Sequence, residues 1–226
     1  MVDKICEHTF IKKLVNNNSV VFDLGANTGD FSKIISEKFG CKAYAVEPIP
    51  NLFNSIKETE LIKKIQASVA DKSGIVRLFL PKDRCATMYS KDQELIEKSI
   101  NVEALSLFDL MNKFGIKKID LIKIDIEGEE IPILESLDSA ELAKISQWTI
   151  EFHDFLYPEI HEAVENIKRK FINSGFFCIP FSITNNGDVL FIKNNKISIL
   201  EFFYLKYIFR YLLGLNRRLN KLLNDY

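Results

Sequence analysis

The 226-residue chain is sparing with the residues that staple or punctuate a fold: nine glycines, six prolines, four cysteines, three histidines and one tryptophan. Cys6, Cys41, Cys85 and Cys178 lie far apart without a C-x-x-C pair, so their spacing gives neither a structural zinc site nor a dithiol redox motif. They read as small core residues of a reducing compartment. An excess of one charge is also missing. Thirty basic against thirty-one acidic residues leave a net charge of −1, without the global positive field of a nucleic-acid binder, and no nucleic-acid partner is expected. Residues 1–18 are read as an N-terminal helical segment; they mix charges with apolar residues and lack the apolar core of a signal peptide, which points to a cytoplasmic protein. What is present is ordinary for a soluble globular chain, 47% apolar and 27% charged. No repeat or low-complexity linker interrupts it.

From Ser19 onward, short apolar or β-branched runs alternate with segments of helical period, the pattern of an α/β fold built on a parallel sheet. Val20–Leu24 reads as a buried first strand, followed by a loop over Gly25–Gly29 and a helix over Asp30–Phe39 that Gly40 ends. Ala43–Glu47 is the second strand, stopped by Pro48 and Pro50, and Ile65–Ala70 a third. An added strand over Ile75–Leu80 precedes the polar stretch Pro81–Asn101, read as a loop that could serve as a lid. Ser106–Phe114 is helical, Ile119–Ile126 a strand with an acidic end, Ser146–His153 the next strand and Ile160–Ser174 the last core helix. Phe176–Pro180 and Val189–Lys193 close the fold as a hairpin.

In open α/β sheets ligands sit beyond the carboxyl ends of the strands, so Asp23–Gly29, Glu47, Asp125–Glu129 and Glu151–His153 should converge on one crevice. Gly25 and Gly29 let the first turn adopt unusual φ and let a ligand approach its backbone. Glu47, at the end of the neighbouring strand, is placed to grip the two ribose hydroxyls of an adenosine-type cofactor. Counted from Gly25, the dinucleotide pattern G-x-G-x-x-G reads Gly25, Asn27, Asp30, with two glycines missing. A pyrophosphate would also face Asp23 and Asp30, whereas the ammonium of an amino-acid tail would be drawn to them. The loop therefore suits S-adenosylmethionine better than NAD.

Five motifs in order carry a family resemblance: Val21-Phe22-Asp23-Leu24-Gly25-Ala26-Asn27-Thr28-Gly29, Val46-Glu47-Pro48-Ile49-Pro50, Ala70-Asp71-Lys72-Ser73-Gly74, Ile119 to Glu129 with Lys123-Ile124-Asp125-Ile126-Glu127-Gly128 inside it, and Ile150-Glu151-Phe152-His153. Over roughly residues 19 to 193 the chain resembles the FkbM family of class I S-adenosylmethionine-dependent methyltransferases. The resemblance implies a Rossmann-like seven-stranded, mostly parallel sheet with an antiparallel last strand and helices on both faces. It also implies O-methylation of a hydroxyl, commonly on sugars or secondary metabolites. The methyltransferase domain is then residues 19–195, and the residues expected to hold the cofactor are Asp23, Gly25, Asn27, Gly29, Glu47, Asp71 and Asp125.

Removal of the acceptor's proton needs a base, and His153, Asp125 and Glu127 are the candidates. Histidine as a residue type titrates near operating pH, which speaks for His153. Asp125 and Glu127 could pair on one face or cap the next helix, and the resemblance calls for no metal. Lys123, unusual in a buried strand, should pair with a carboxylate in the crevice. The remaining segment, 196–226, changes character: within residues 201–226 aromatics and leucines interleave with five bases against two acids, so that stretch carries +3 and the rest of the chain −4. It reads as a basic amphipathic helix that lies on the inner membrane surface, joins two copies of the chain or packs on its own domain. Two other readings stand beside the glycan-directed O-methyltransferase: an NAD-dependent oxidoreductase or epimerase, and a non-enzymatic membrane-associated scaffold.

Overall fold

A computed structural model describes residues 1–81, 96–126, 129–182 and 185–211. Its centre is a seven-stranded sheet in the spatial order β11-β12-β10-β9-β3-β4-β5. The strands are β3 (Val20–Leu24), β4 (Lys42–Val46), β5 (Ile62–Ile65), β9 (Leu121–Ile124), β10 (Gln147–Ile150), β11 (Phe176–Pro180) and β12 (Val189–Lys193). β12 runs antiparallel to both β10 and β11, while the β10, β9, β3, β4 and β5 pairings are parallel. The expected architecture is thus observed, and the order reverses between β3 and β9, the switch point at which such sheets open a crevice.

The near-continuous apolar strands follow from burial on both faces. On one face Phe22, Ile122, Trp148 and Phe191 pack with α3 (Leu107–Lys113), α4 (Glu130–Ser136) and α6 (His161–Asn173), whose Leu110, Ile133 and Phe171 are buried. On the other, Val21, Ala43 and Leu121 meet Phe31 and Ile35 of α1 (Asp30–Phe39). Gly40 ends α1 in the left-handed region at φ +68°, and its N–H donates to the Ser36 carbonyl.

Three expectations are corrected. The N-terminal segment is not helical: β1 (Val2–Ile5) and β2 (His8–Ile11) form an antiparallel hairpin, followed by a single 3₁₀ turn. The pair Cys6–Glu7 makes its turn at φ +44° and +64° without the Asn-Gly signal such turns usually carry, and Cys6 is exposed rather than in the core. The expected third strand divides: Ile65 ends β5, whereas β6 (Ser68–Val69) joins a separate three-stranded sheet with β7 (Gly74–Pro81) and β8 (Ile96–Leu105). The end of the presumed lid is therefore a strand, while its middle, 82–95, with Cys85, lies outside the described residues.

In the tail, α7 (Ile199–Phe203) continues through a π-helical stretch over Tyr204–Phe209. Leu205 is fully buried against Ile11, Ile179, Phe181 and Leu190, with Phe202 and Phe209 beside it. The docked face is therefore Phe202, Leu205 and Phe209, while Tyr204, Ile208 and Tyr211 are exposed. Arg210, one of the tail's bases, donates to the Ser182 carbonyl at 2.9 Å. No helix among the described residues is long and apolar enough to cross a membrane.

Candidate active site

The carboxyl ends of β3, β4 and β9 open into a cleft of about 360 Å³. Its wall includes Gly25, Asn27, Asp30, Glu47, Lys123 and Asp125, and the edge of the smaller sheet contributes Ser68 and Val69. Gly25 shows why its position excludes a side chain. It sits at φ +76°, and a Cβ there would stand 1.9 Å from the Asp125 carbonyl oxygen. The loop is thus pressed against the end of β9, and its Gly25 and Ala26 N–H groups donate to the Val46 carbonyl.

Glu47 is 4% exposed and accepts from the Asn27 N–H at 2.9 Å and the Ile49 N–H at 3.0 Å. Burial pushes its carboxyl above the usual carboxylate range, against those two hydrogen bonds that favour the charged form. Each oxygen retains accepting capacity toward a ligand hydroxyl.

Asp23 and Lys123 face each other in the parallel register of β3 and β9. Asp23 is fully buried and accepts from Ser32 Oγ at 2.7 Å. The Lys123 ammonium lies 3.2 Å from Asp23 and 3.7 Å from Asp125, and donates to the Gly25 carbonyl at 2.5 Å. Burial alone would push Lys123 down, but Asp23, Asp125 and Glu47 outweigh it and hold the ammonium above the ordinary lysine range. The expected pairing of Lys123 is therefore found, and it ties the glycine loop to β9.

His153 is 3% exposed. Its Nδ1 is 3.0 Å from Glu130 Oε1, and its Nε2 is 3.7 Å from Asp125. Glu130 also accepts from the Ile126 N–H. Asp125 in turn lies 3.7 Å from His8 Nε2. Burial opposes ionisation of Asp125, but the His8 ring beside it, together with Lys123 and His153, holds it down at about 2. A carboxyl so acidic is a poor proton acceptor near neutral pH.

The sequence candidates divide accordingly. Asp125 and His153 come together, as do Gly25, Asn27 and Glu47, while Asp23 reaches the cleft through Lys123. Gly29 starts α1 just behind the cleft wall. Asp71 does not line the cleft: it is exposed in the turn after β6, where the lining residues are Ala67, Ser68 and Val69. Glu127 lies outside the described residues. Sequence reading missed His8 and Glu130. Glu130 carried a signal, because a carboxylate at the first turn of a helix that starts beside the strand end can reach back to it; His8 carried none, because a hairpin packs it there from the far end of the chain.

A model of the methyltransferase FkbM domain matches residues 23–178. The chain belongs to the FkbM methyltransferase family, whose cofactor is S-adenosylmethionine. It is 26% identical over 170 residues to the 31-O-demethyl-FK506 methyltransferase FkbM of Streptomyces tacrolimicus, covering 60% of this chain and 65% of that one. It is 24% identical over 153 residues to the hexuronic acid methyltransferase AglP of Haloferax volcanii, covering 66% and 58% respectively. The chain thus spans somewhat less than two thirds of the length of these two relatives. A solved structure of M. capricolum TrmK with S-adenosyl-homocysteine has a TM-score of 0.43 and 18% identity, covering 95% and 84%. The cleft fits the family's cofactor: Glu47 can accept from ribose hydroxyls, the cradle excludes a Cβ at Gly25, and Asp30 in the wall supplies a negative charge that an amino-acid ammonium is drawn to.

Proposed function

We propose that this protein is an O-methyltransferase that acts on a hydroxyl of a carbohydrate or similar polyhydroxylated acceptor. The observation that carries it is His153, buried beside the cofactor cleft with one ring nitrogen anchored on Glu130 and the other directed toward Asp125. S-adenosylmethionine, when bound, supplies a methyl group made electrophilic by its sulfonium. Glu47 and the loop from Gly25 to Thr28 bind and orient it. Asp125, ionised, steadies the positive charge that His153 gains when it accepts the acceptor's proton, and Glu130 keeps the ring turned so that Nε2 does the accepting. Positioning of the hydroxyl supplies much of the rate, because a near-attack pose replaces an encounter in solution. One relative's name specifies a hexuronic acid, a polyhydroxylated acceptor.

The test is incubation of candidate glycans with labelled cofactor and mass detection of a one-methylene gain. His153→Ala should lower turnover by roughly 10²-fold, with S-adenosylhomocysteine affinity unchanged by calorimetry; full activity in that variant would remove His153 from the mechanism.

We further propose that the tail rests on an anionic membrane surface. Phe203, Tyr207, Ile208 and Tyr211 are each about half exposed on one short helix, Lys206 stands beside Tyr207, and the tail bears +3 while the rest of the chain bears −4. Co-sedimentation with anionic but not neutral vesicles, lost in high salt, is the expected result. A concentration-dependent dimer without vesicle binding would assign the face to a second copy instead.

A further inference from the structure

At the bottom of the cleft the N-terminal hairpin brings a histidine against two carboxylates from the sheet. His8, Asp125 and Glu151 each offer a ligand atom, and the three atoms lie within 4.8 Å of one another. They come from three separate elements: the start of β2 and the carboxyl ends of β9 and β10. His8 is 1% exposed, and its ring is set by contacts on two sides. Phe31 meets it edge to face at 6.0 Å, and Thr149 Oγ1 lies 3.4 Å from Nδ1, which leaves Nε2 turned toward Asp125. A ring nitrogen held from outside while the other points into a set of carboxylates is the arrangement of a metal-ligating histidine with its supporting partner. The hairpin that presents His8 is itself fixed. The Thr9 N–H and Oγ1 both donate to Asp188, and the Ile11 N–H donates to Gln147.

We infer that His8, Asp125 and Glu151 form a binding site for a divalent transition-metal ion. The inference rests on the methyltransferase reading for its purpose but not for its chemistry. One imidazole and two carboxylates are a mixed donor set suited to Mn²⁺, Fe²⁺ or Zn²⁺ rather than to Ca²⁺, which takes oxygen alone. Donors about 2.1 Å from such an ion stand ~3–4 Å apart, so the three side chains need to close in by less than about an ångström. Among the described residues Lys123 and His153 each lie 3.7 Å from Asp125, and Lys123 is also paired to Asp23 at 3.2 Å. Three protein ligands leave coordination positions open, and two of the three, His8 and Asp125, line the cleft. There a hydroxyl of a polyhydroxylated acceptor could bind, with its proton passing to His153 as its oxygen gains the methyl group and the sulfonium sulfur keeps the electron pair of the broken carbon–sulfur bond.

The experiment titrates Mn²⁺ alone into the full chain and follows the loss of the free-ion electron paramagnetic resonance signal, with S-adenosylhomocysteine affinity measured separately by calorimetry. One ion per chain is expected, and His8→Ala and Glu151→Gln should each weaken uptake tenfold or more while S-adenosylhomocysteine still binds. Thr149→Val, which removes only the support on His8 Nδ1, should weaken Mn²⁺ by a smaller factor. No saturable uptake by the unaltered protein at millimolar Mn²⁺, or uptake unchanged in both His8→Ala and Glu151→Gln, overturns the site. Failure of the unaltered chain to bind S-adenosylhomocysteine would count against the methyltransferase reading, whatever Mn²⁺ does.

Discussion

Replacing Lys123 with Met probes the one buried cation that the carboxylates of the cleft share. The methionine side chain fills similar volume, so the change removes charge rather than packing. It leaves Asp23, fully buried, with the Ser32 hydroxyl as its remaining described donor, and it withdraws the bond to the Gly25 carbonyl. Removing one member of a buried pair costs about 3–5 kcal/mol, because the stranded charge keeps its desolvation penalty. The cost also has a pH signature. In the unaltered protein Asp125 is lowered from 3.8 to about 2, so its ionised form adds stability that is fully present above pH ~4 and is lost as pH falls toward ~2, on the order of 2 kcal/mol at 1.36 kcal/mol per unit. Lys123 supplies part of that lowering, so the variant loses part of this increment, and acid relieves its stranded carboxylates by protonating them. Urea unfolding of both proteins should therefore show a wide gap near pH 7 that narrows as the pH falls from ~4 toward ~2. The double variant Asp23→Asn with Lys123→Met should recover part of the loss, with a coupling of about 1 kcal/mol or more. A loss below ~1 kcal/mol at neutral pH, or a gap constant with pH, would refute the assignment of Lys123 as the charge that holds this cleft together.

Two further outcomes bear on the cofactor loop. Gly25→Ala should abolish the thermal shift given by S-adenosylhomocysteine and also lower the melting temperature without ligand, because the new Cβ meets the Asp125 carbonyl and not only a ligand; a normal shift would mean that the loop yields. Glu47→Ala should weaken S-adenosylhomocysteine binding by about 1.5–3 kcal/mol in calorimetry, the worth of hydrogen bonds to a charged acceptor, and unchanged affinity would take the ribose away from Glu47.

How far the molecule could be read from its sequence depended on the range over which each feature is determined. Gly25, Glu47, Lys123 and Asp125 stand at strand ends whose apolar runs and breakers are local, so the crevice could be placed before any strand order was known. The strand β8 was legible but not read. Ile100, Val102 and Ala104 alternate with Asn101 and Glu103, a two-residue period obscured by the polar residues before it. The N-terminal hairpin was a different case: Val2–Ile11 mixes charges with apolar residues, and its turn is made by Cys6 and Glu7 at positive φ, where propensity argues against them. What stabilises it is tertiary, namely the bonds from Thr9 to Asp188 and from Ile11 to Gln147, and no local window contains both ends of either. His8 inherits that illegibility, and so does the docked face of the tail, which is chosen by Ile11 and the far strands rather than by helical periodicity alone.

The clasp between Thr9 and Asp188 joins residues 179 positions apart. A chain synthesised from its amino end at about 5–20 residues per second must carry its first residues unpaired for roughly 10–40 s before the partner is made. In that interval β3 and β4 can already pair, because their partners are close in sequence, but the crevice has no floor. The site is completed only once Asp188 has been produced, so a nascent product that stops short of it can hold much of the sheet and yet lack His8 where the chemistry would need it.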